Sequence, residues 1–171
     1  MCLIAEHAHA LERIAELEEQ ISPPMPMPPA SQLTIDANSL SALLYPWGIN
    51  LSGGSGDWQY KLMSKPEAES FLKWYKANAP IKPSEYTADN LDCDKFAWLM
   101  RAFAILWMRG EYAWGYIEAE SIDPEYQFPN HGFCFVLCDD FKVYFCDQLE
   151  VAAPDDELME SYQIKCHAAK I

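Results

Sequence analysis

Asp92-Cys93-Asp94-Lys95-Phe96-Ala97-Trp98-Leu99-Met100-Arg101-Ala102-Phe103-Ala104-Ile105-Leu106-Trp107 is the stretch from which the rest of the chain is read. Phe96, Leu99, Met100, Phe103, Leu106 and Trp107 recur at steps of three and four, the period that lines one helical face with core-facing side chains. Asp92 stands at the N-cap position and Gly110 at the stop. Cys93 therefore falls on the first turn, where unpaired backbone N–H groups and the positive end of the helix dipole favour thiolate over thiol. That placement prepares a nucleophile.

A nucleophilic thiolate needs a base, and the chain has four histidines. His7 and His9 lie in an N-terminal helical stretch, and His167 lies near the C-terminus. His131 opens the apolar, β-prone run from Gly132 to Cys138; Asp139-Asp140 predicts a turn, and Phe141 to Cys146 a returning strand. Antiparallel pairing of the two runs sets Asp147, at the end of the second, beside His131 at the start of the first. Cys93, His131 and Asp147 are thus the candidate nucleophile, base and orienting acid.

These residues carry a resemblance. The Asp-Cys-Asp-x-Phe-Ala string on a helix, His-Gly-Phe opening a strand, and a hairpin closing on an acid followed by Gln resemble the papain-like cysteine peptidase superfamily. Within it, the match resembles the C-terminal domain of the Marasmius oreades agglutinin and related phage and bacterial domains, over residues 45–150. Two departures stand out: no Pro separates Asp147 from Gln148, and Gly132 stands where an alanine is common. The resemblance implies an α+β, papain-like cysteine proteinase fold with an antiparallel sheet and a central helix carrying Cys93. It also implies a Cys93–His131–Asp147 triad acting on a peptide or protein substrate. Such enzymes commonly use an upstream Gln as oxyanion donor, a role for which Gln59 is the candidate. Calcium supports activity in the agglutinin family, and Asp92, Asp94, Asp139 and Asp140 offer oxygens without EF-hand spacing. No other cofactor is expected. Cys134 and Cys138 share a strand face and Cys146 neighbours them, but the paired Cys-x-x-Cys signature of zinc is absent, so buried free thiols are the expectation.

The chain's 171 residues, 50% hydrophobic and 13% aromatic, suit one domain with an appendage. A formal net charge of −14 argues against nucleic acid and against an anionic membrane surface. No apolar run is long enough to span a bilayer. Met1 to Ala5 is followed at once by Glu6 and His7, which does not read as a secretory signal, so cytoplasmic synthesis is expected despite six cysteines. The resemblance adds a phage virion as a possible destination.

Residues 1–21 predict an amphipathic helix, with Leu3, Ile4, Leu11, Ile14, Leu17 and Ile21 toward one side and Glu6, Glu12, Arg13, Glu16, Glu18 and Glu19 elsewhere. Five prolines in the eight residues Ser22 to Pro29 then forbid helix, which makes residues 22–31 a proline-rich linker ahead of a papain-like domain at 32–171. The helix buries its stripe on copies of the chain as a homo-oligomer or on a larger protein assembly, unless it folds back on its own domain or frays. Between Ser31 and Ser55 a strand or short helix is expected, with a surface turn at Ser52 to Gly56. Asp57 to Leu62 reads as a strand, Lys65 to Lys76 as a helix, Tyr112 to Ala119 as a strand, and Pro154 to Glu160 as a solvated helix end. Two function classes follow: a cysteine hydrolase, peptidase or amidase, or a phage virion or assembly protein whose papain-like domain is degenerate.

Overall fold

The computed structural model describes residues 25–51, 58–87, 92–123, 127–150, 159–160 and 164–171. The helix expected over 1–21, the glycine-rich turn at 52–56 and residues 154–158 of the acidic tail lie outside the described residues. The chain runs β1 (Thr34–Asp36), α1 (Ala37–Leu44), β2 (Gln59–Lys61), α2 (Lys65–Asn78), α3 (Cys93–Met108), β3 (Trp114–Ser121), β4 (His131–Leu137), β5 (Val143–Cys146), β6 (Met159–Glu160) and β7 (Ile164–Lys170). It is an α+β arrangement. β1 and β2 form a small antiparallel ribbon, and the other five strands form one antiparallel sheet in the order β6-β5-β4-β3-β7. No described helix is long and apolar enough to cross a membrane.

Alternation along the central strands divides the core into two layers. Trp114 and Tyr116 of β3, Cys134 and Val136 of β4, and Tyr144 and Cys146 of β5 face α2 and α3. Ile117, Ala119, Phe133, Phe135, Leu137, Val143 and Phe145 face the other way, onto Leu40 and Leu44 of α1, Ile35 of β1 and Tyr60 of β2. Every residue of β4 and β5 is buried. That is why these strands read as continuous apolar runs rather than alternating ones.

Local chemistry sets the helix starts. Ser64 caps α2 in a reciprocal box, its hydroxyl accepting from the Glu67 N–H at 3.4 Å while the Glu67 carboxylate accepts from the Ser64 N–H at 2.8 Å. α3 begins after Asp92 as expected, but the Asp92 side chain makes no capping bond; it pairs with Lys95 at 2.8 Å instead. The helix stops one residue before the expected glycine, with Arg109 in the left-handed conformation at φ 50°. Its buried face is also rotated from the expected one. Phe96, Ala97, Met100, Ala104, Trp107 and Met108 are buried, whereas Leu106 is 66% exposed. Small Ala97 and Ala104, which a reading weighted to large apolar residues passes over, bring the helix close to the sheet.

Two further segments differ from expectation. Met159–Glu160, the end of the supposed acidic helix, adds β6 at the sheet edge, and the tail residues Ile164–Lys170 form β7 against β3. Gly115 is what admits β7, because a Cβ there would lie 2.4 Å from the Phe135 ring and 2.7 Å from the Lys170 carbonyl oxygen.

Phe71 of α2 joins the helices to the sheet. Its ring stacks on Trp107 of α3 at 4.8 Å and meets Trp114 of β3 edge-on at 5.3 Å. Phe71→Ala is expected to cost about 3–5 kcal/mol, the transfer and cavity cost of a fully buried phenylalanine. A urea titration measures it; a loss under about 1 kcal/mol would show that this contact does not hold the layers together.

Candidate active site

Cys93 opens α3 and His131 opens β4, so their meeting depends on how closely the strand's start approaches the helix's first turn. Gly132 makes the approach possible. A Cβ at that position would stand 2.7 Å from Asp94 Cα and 2.9 Å from its nitrogen, closer than side-chain carbons come to backbone. With only hydrogens there, the Gly132 N–H donates to the Cys93 sulfur, and the His131 ring is hydrogen-bonded to the same sulfur. The alanine that the resemblance favours at this position would not fit this spacing.

The acid arrives through the hairpin register. Cys134 faces Cys146, so continuing the ladder sets Asp147 opposite Phe133 and diagonal to His131 on the same face. Asp147 Oδ2 lies 2.7 Å from His131 Nε2, while Oδ1 accepts the Leu149 N–H at 2.9 Å. Nε2 is thereby committed to the carboxylate, which leaves Nδ1 for the sulfur. The imidazole lies parallel to the Phe133 ring at 5.9 Å and meets Phe128 edge-on at 6.3 Å. His131 and Asp147 are 5% and 2% exposed, whereas Cys93 is half-buried. The orienting pair is dry and the thiol is reachable.

These contacts shift the protonation equilibria in opposite senses. The bond to His131 pulls the Cys93 pKa below 9.0; burial opposes it, and the Gly132 N–H assists it. Burial alone would lower His131, but the Asp147 carboxylate and the Cys93 sulfur outweigh it and lift the imidazole from 6.5 to about 9. Below about pH 9 the imidazole therefore keeps its proton, and the lowered Cys93 pKa favours the thiolate beside it. Burial pushes Cys138, Cys146 and Cys166 upward, so they remain thiols at neutral pH. Next to the nucleophile, Asp94 and Asp92 share a hydrogen bond that raises Asp94 and, with Lys95, lowers Asp92 to about 2.

Cys93, His131 and Asp147 are brought together; Gln59 is not. It is exposed on β2 and borders the same surface hollow as Phe141, beyond the end of β4 opposite His131. Of the donors near Cys93, the described residues offer backbone N–H groups at the start of α3. The candidate calcium oxygens are likewise divided. Asp92 and Asp94 sit at the His131 end of β4 and the Asp139-Asp140 turn at the other, where Asp140 accepts from Lys142 N–H at 3.1 Å and Tyr144 hydroxyl at 2.6 Å. The four do not form one site. Cys146 does neighbour Cys134, whose thiol donates to the Ala97 carbonyl at 3.3 Å. Among the described residues no group of three or more His, Cys, Asp or Glu is placed to hold a metal.

Tyr112 and Trp114 are core residues, and Trp98 stacks on Tyr116 at 4.7 Å. Two contributors escaped the reading of the sequence. One is the Gly132 N–H, signalled only by a glycine following a strand-opening histidine. The other is Gln148, which is buried and donates to the Ile81 carbonyl at 2.5 Å, tying the end of the hairpin to the segment after α2.

No protein-family model matches the chain, and no curated protein matches it by sequence. Its fold is similar to that of solved structures. One is the Polyporus squamosus lectin bound to the human-type influenza-binding epitope Neu5Acα2-6Galβ1-4GlcNAc, at TM-score 0.56 and 13% identity over 80% of this chain and 49% of that one. Another is a PSL1a–E64 complex, at TM-score 0.53 and 14% identity over 80% of this chain and 51% of that one. The chain thus spans about half the length of either. At this identity the likeness is one of fold.

Gly132→Ala separates the contact from the rest of the site. The added methyl is expected to cost about 1–3 kcal/mol by overpacking and to move β4 off α3. Iodoacetamide labelling of Cys93 at pH 7 should then slow by roughly tenfold for each pKa unit that the thiol returns toward its ordinary value. An unchanged rate would show that the close approach does not activate the sulfur.

Proposed function

We propose that the chain is a papain-like cysteine hydrolase that cleaves a peptide or amide bond. The observation that carries the reading is His131 bonded on one side to Cys93 and on the other, at 2.7 Å, to Asp147. A cysteine opening a helix that packs on an antiparallel sheet, with the base and acid supplied by that sheet, supports the papain-like assignment. The PSL1a structure with the similar fold was solved with E64, which supports trying the same compound here.

The chemistry proceeds from the ion pair. The Cys93 thiolate attacks the carbonyl carbon, a C–S bond forms, and the carbonyl π electrons move onto oxygen, where backbone N–H groups at the start of α3 receive the charge. The His131 imidazolium gives its Nδ1 proton to the leaving nitrogen as the C–N bond breaks and the acyl-enzyme forms. Neutral His131 then takes a proton from water, whose oxygen attacks the thioester, and the acid product leaves with the thiolate restored. Asp147 keeps Nε2 protonated and the ring aimed at the sulfur throughout.

The triad makes ordered predictions. Cys93→Ala abolishes hydrolysis of a peptide library, and His131→Ala lowers it by roughly 10²–10⁴-fold. Asp147→Ala falls between His131→Ala and the unaltered chain. The pH profile is bell-shaped: activity falls on the acid side as the thiolate takes a proton, and on the alkaline side near pH 9 as His131 loses the proton it must donate. In site-resolved mass spectrometry, Cys93 should be the most readily alkylated cysteine at pH 6, His131→Ala should slow it, and E64 should add to Cys93. If Cys93 labels no faster than Cys2, if His131→Ala leaves its rate unchanged and if no adduct forms, the domain is a structural one.

A further inference from the structure

The proline stretch lies along the domain. Trp107 Nε1 donates to the Pro26 and Met27 carbonyls at 3.0 and 3.1 Å, the Tyr112 hydroxyl donates to the Pro29 carbonyl at 2.9 Å, and the Ala30 N–H donates to Glu67 Oε1 at 2.9 Å. This is how aromatic grooves hold polyproline segments, by donors aimed at carbonyls that the extended backbone leaves free. Beside the strap, Met25, Met27, Leu106, Trp107 and Arg109 line a groove of about 360 Å³. Its rim is apolar and open: Met27 is 87% and Leu106 66% exposed, and Ile105 beside them 44%.

We propose that this groove seats the chain's own residues 3–21, folded back as an amphipathic helix onto the domain that follows them. The tether supports this occupant. Ile21 is separated from Met25 by Ser22, Pro23 and Pro24, and four steps of polyproline rise, at 3.1 Å each, come to about 12 Å. The strap's hydrogen bonds hold Met25 at the groove, so the last turn of the helix starts within that distance of the exposed Met27 and Leu106. Leu11, Ile14, Leu17 and Ile21 supply an aliphatic stripe, while Glu16, Glu18 and Glu19 supply negative charge to meet the exposed Arg109.

Magnitudes favour docking in cis over a second copy. Burying three such side chains yields roughly 5–9 kcal/mol at 1.5–3 each, while joining two free molecules costs an estimated 4–15. A tether a few residues long presents the helix at about millimolar effective concentration without that cost.

Hydrogen–deuterium exchange on the full chain, with sedimentation equilibrium alongside, tests the proposal. The expected result is a monomer at every concentration, with slow exchange over residues 8–21 that does not depend on dilution. Leu106→Glu, a change at an exposed position, and Leu17→Glu should each speed that exchange by about tenfold or more while leaving β3 to β5 protected. Fast exchange over 8–21 in the unaltered chain would overturn the proposal. So would protection in a monomer that survives Leu106→Glu, which would place the helix elsewhere. A mass above monomer would also overturn it, since the stripe would then be buried between copies.

Discussion

The start of β4 and the first turn of α3 touch backbone to backbone, and the site depends on that contact. Because Gly132 has no side chain, its N–H reaches the Cys93 sulfur and its Cα rests against Asp94. His131, one residue earlier, is carried to the same sulfur. The two residues point to opposite faces of the strand, so one contact serves two ends: Gly132 closes on the helix layer, and His131 packs among the aromatics of the other layer. Widening the gap by the radius of a methyl group would weaken both bonds to the sulfur at once.

Opposing terms of similar size set the charge state of that sulfur. Burial disfavours both ions, and the Asp94 carboxyl one residue away disfavours the thiolate in particular. Against these stand direct hydrogen bonds: His131 and Gly132 to the sulfur, and Asp147 to the imidazole. The balance falls to the ion pair because hydrogen bonds to charged groups act at contact distance, whereas the Asp92 and Asp94 carboxyls are partly open to solvent, which screens them. The aromatic walls of Phe128 and Phe133 strengthen the balance by keeping water from the His131–Asp147 bond.

Where local periodicity and polarity determine position, the site was legible in the sequence. Helical spacing placed Cys93 on a first turn, and two apolar runs around Asp139-Asp140 set the hairpin register that brings Asp147 to His131. The rest was decided by contacts between distant segments. Gln59 has suitable chemistry, but its strand pairs with Thr34–Asp36 at the far end of the sheet, and no local pattern encodes that pairing. The buried face of α3 departs from its helical pattern of large apolar residues for a related reason: Ala97 and Ala104 are buried because they are small, while Leu106 is left to the surface beside the strap. β7 reads as an ordinary polar tail, because an edge strand with one wet face carries weak alternation. Its place is set by Gly115, whose missing side chain is filled by the Phe135 ring and the Lys170 carbonyl.

The three members of the site are held with unequal firmness. Cys93 belongs to a helix fixed at both ends, by Gly132 at its start and by the Trp107 bonds to the proline strap at its finish. His131 opens a strand paired on both sides, to β3 and β5. Asp147 lies one residue past the last paired position of β5. It is held there by the Leu149 N–H and, through its neighbour Gln148, by the Ile81 carbonyl. No proline stiffens the step from Asp147 to Gln148, so a buried glutamine side chain anchors what a rigid backbone would otherwise restrain. The acid is therefore the member whose position depends most on remote structure, here the segment that follows α2. Anything that shifts that segment acts on the His131–Asp147 bond before it reaches the nucleophile, altering the aim of the imidazole while leaving the helix that carries Cys93 in place.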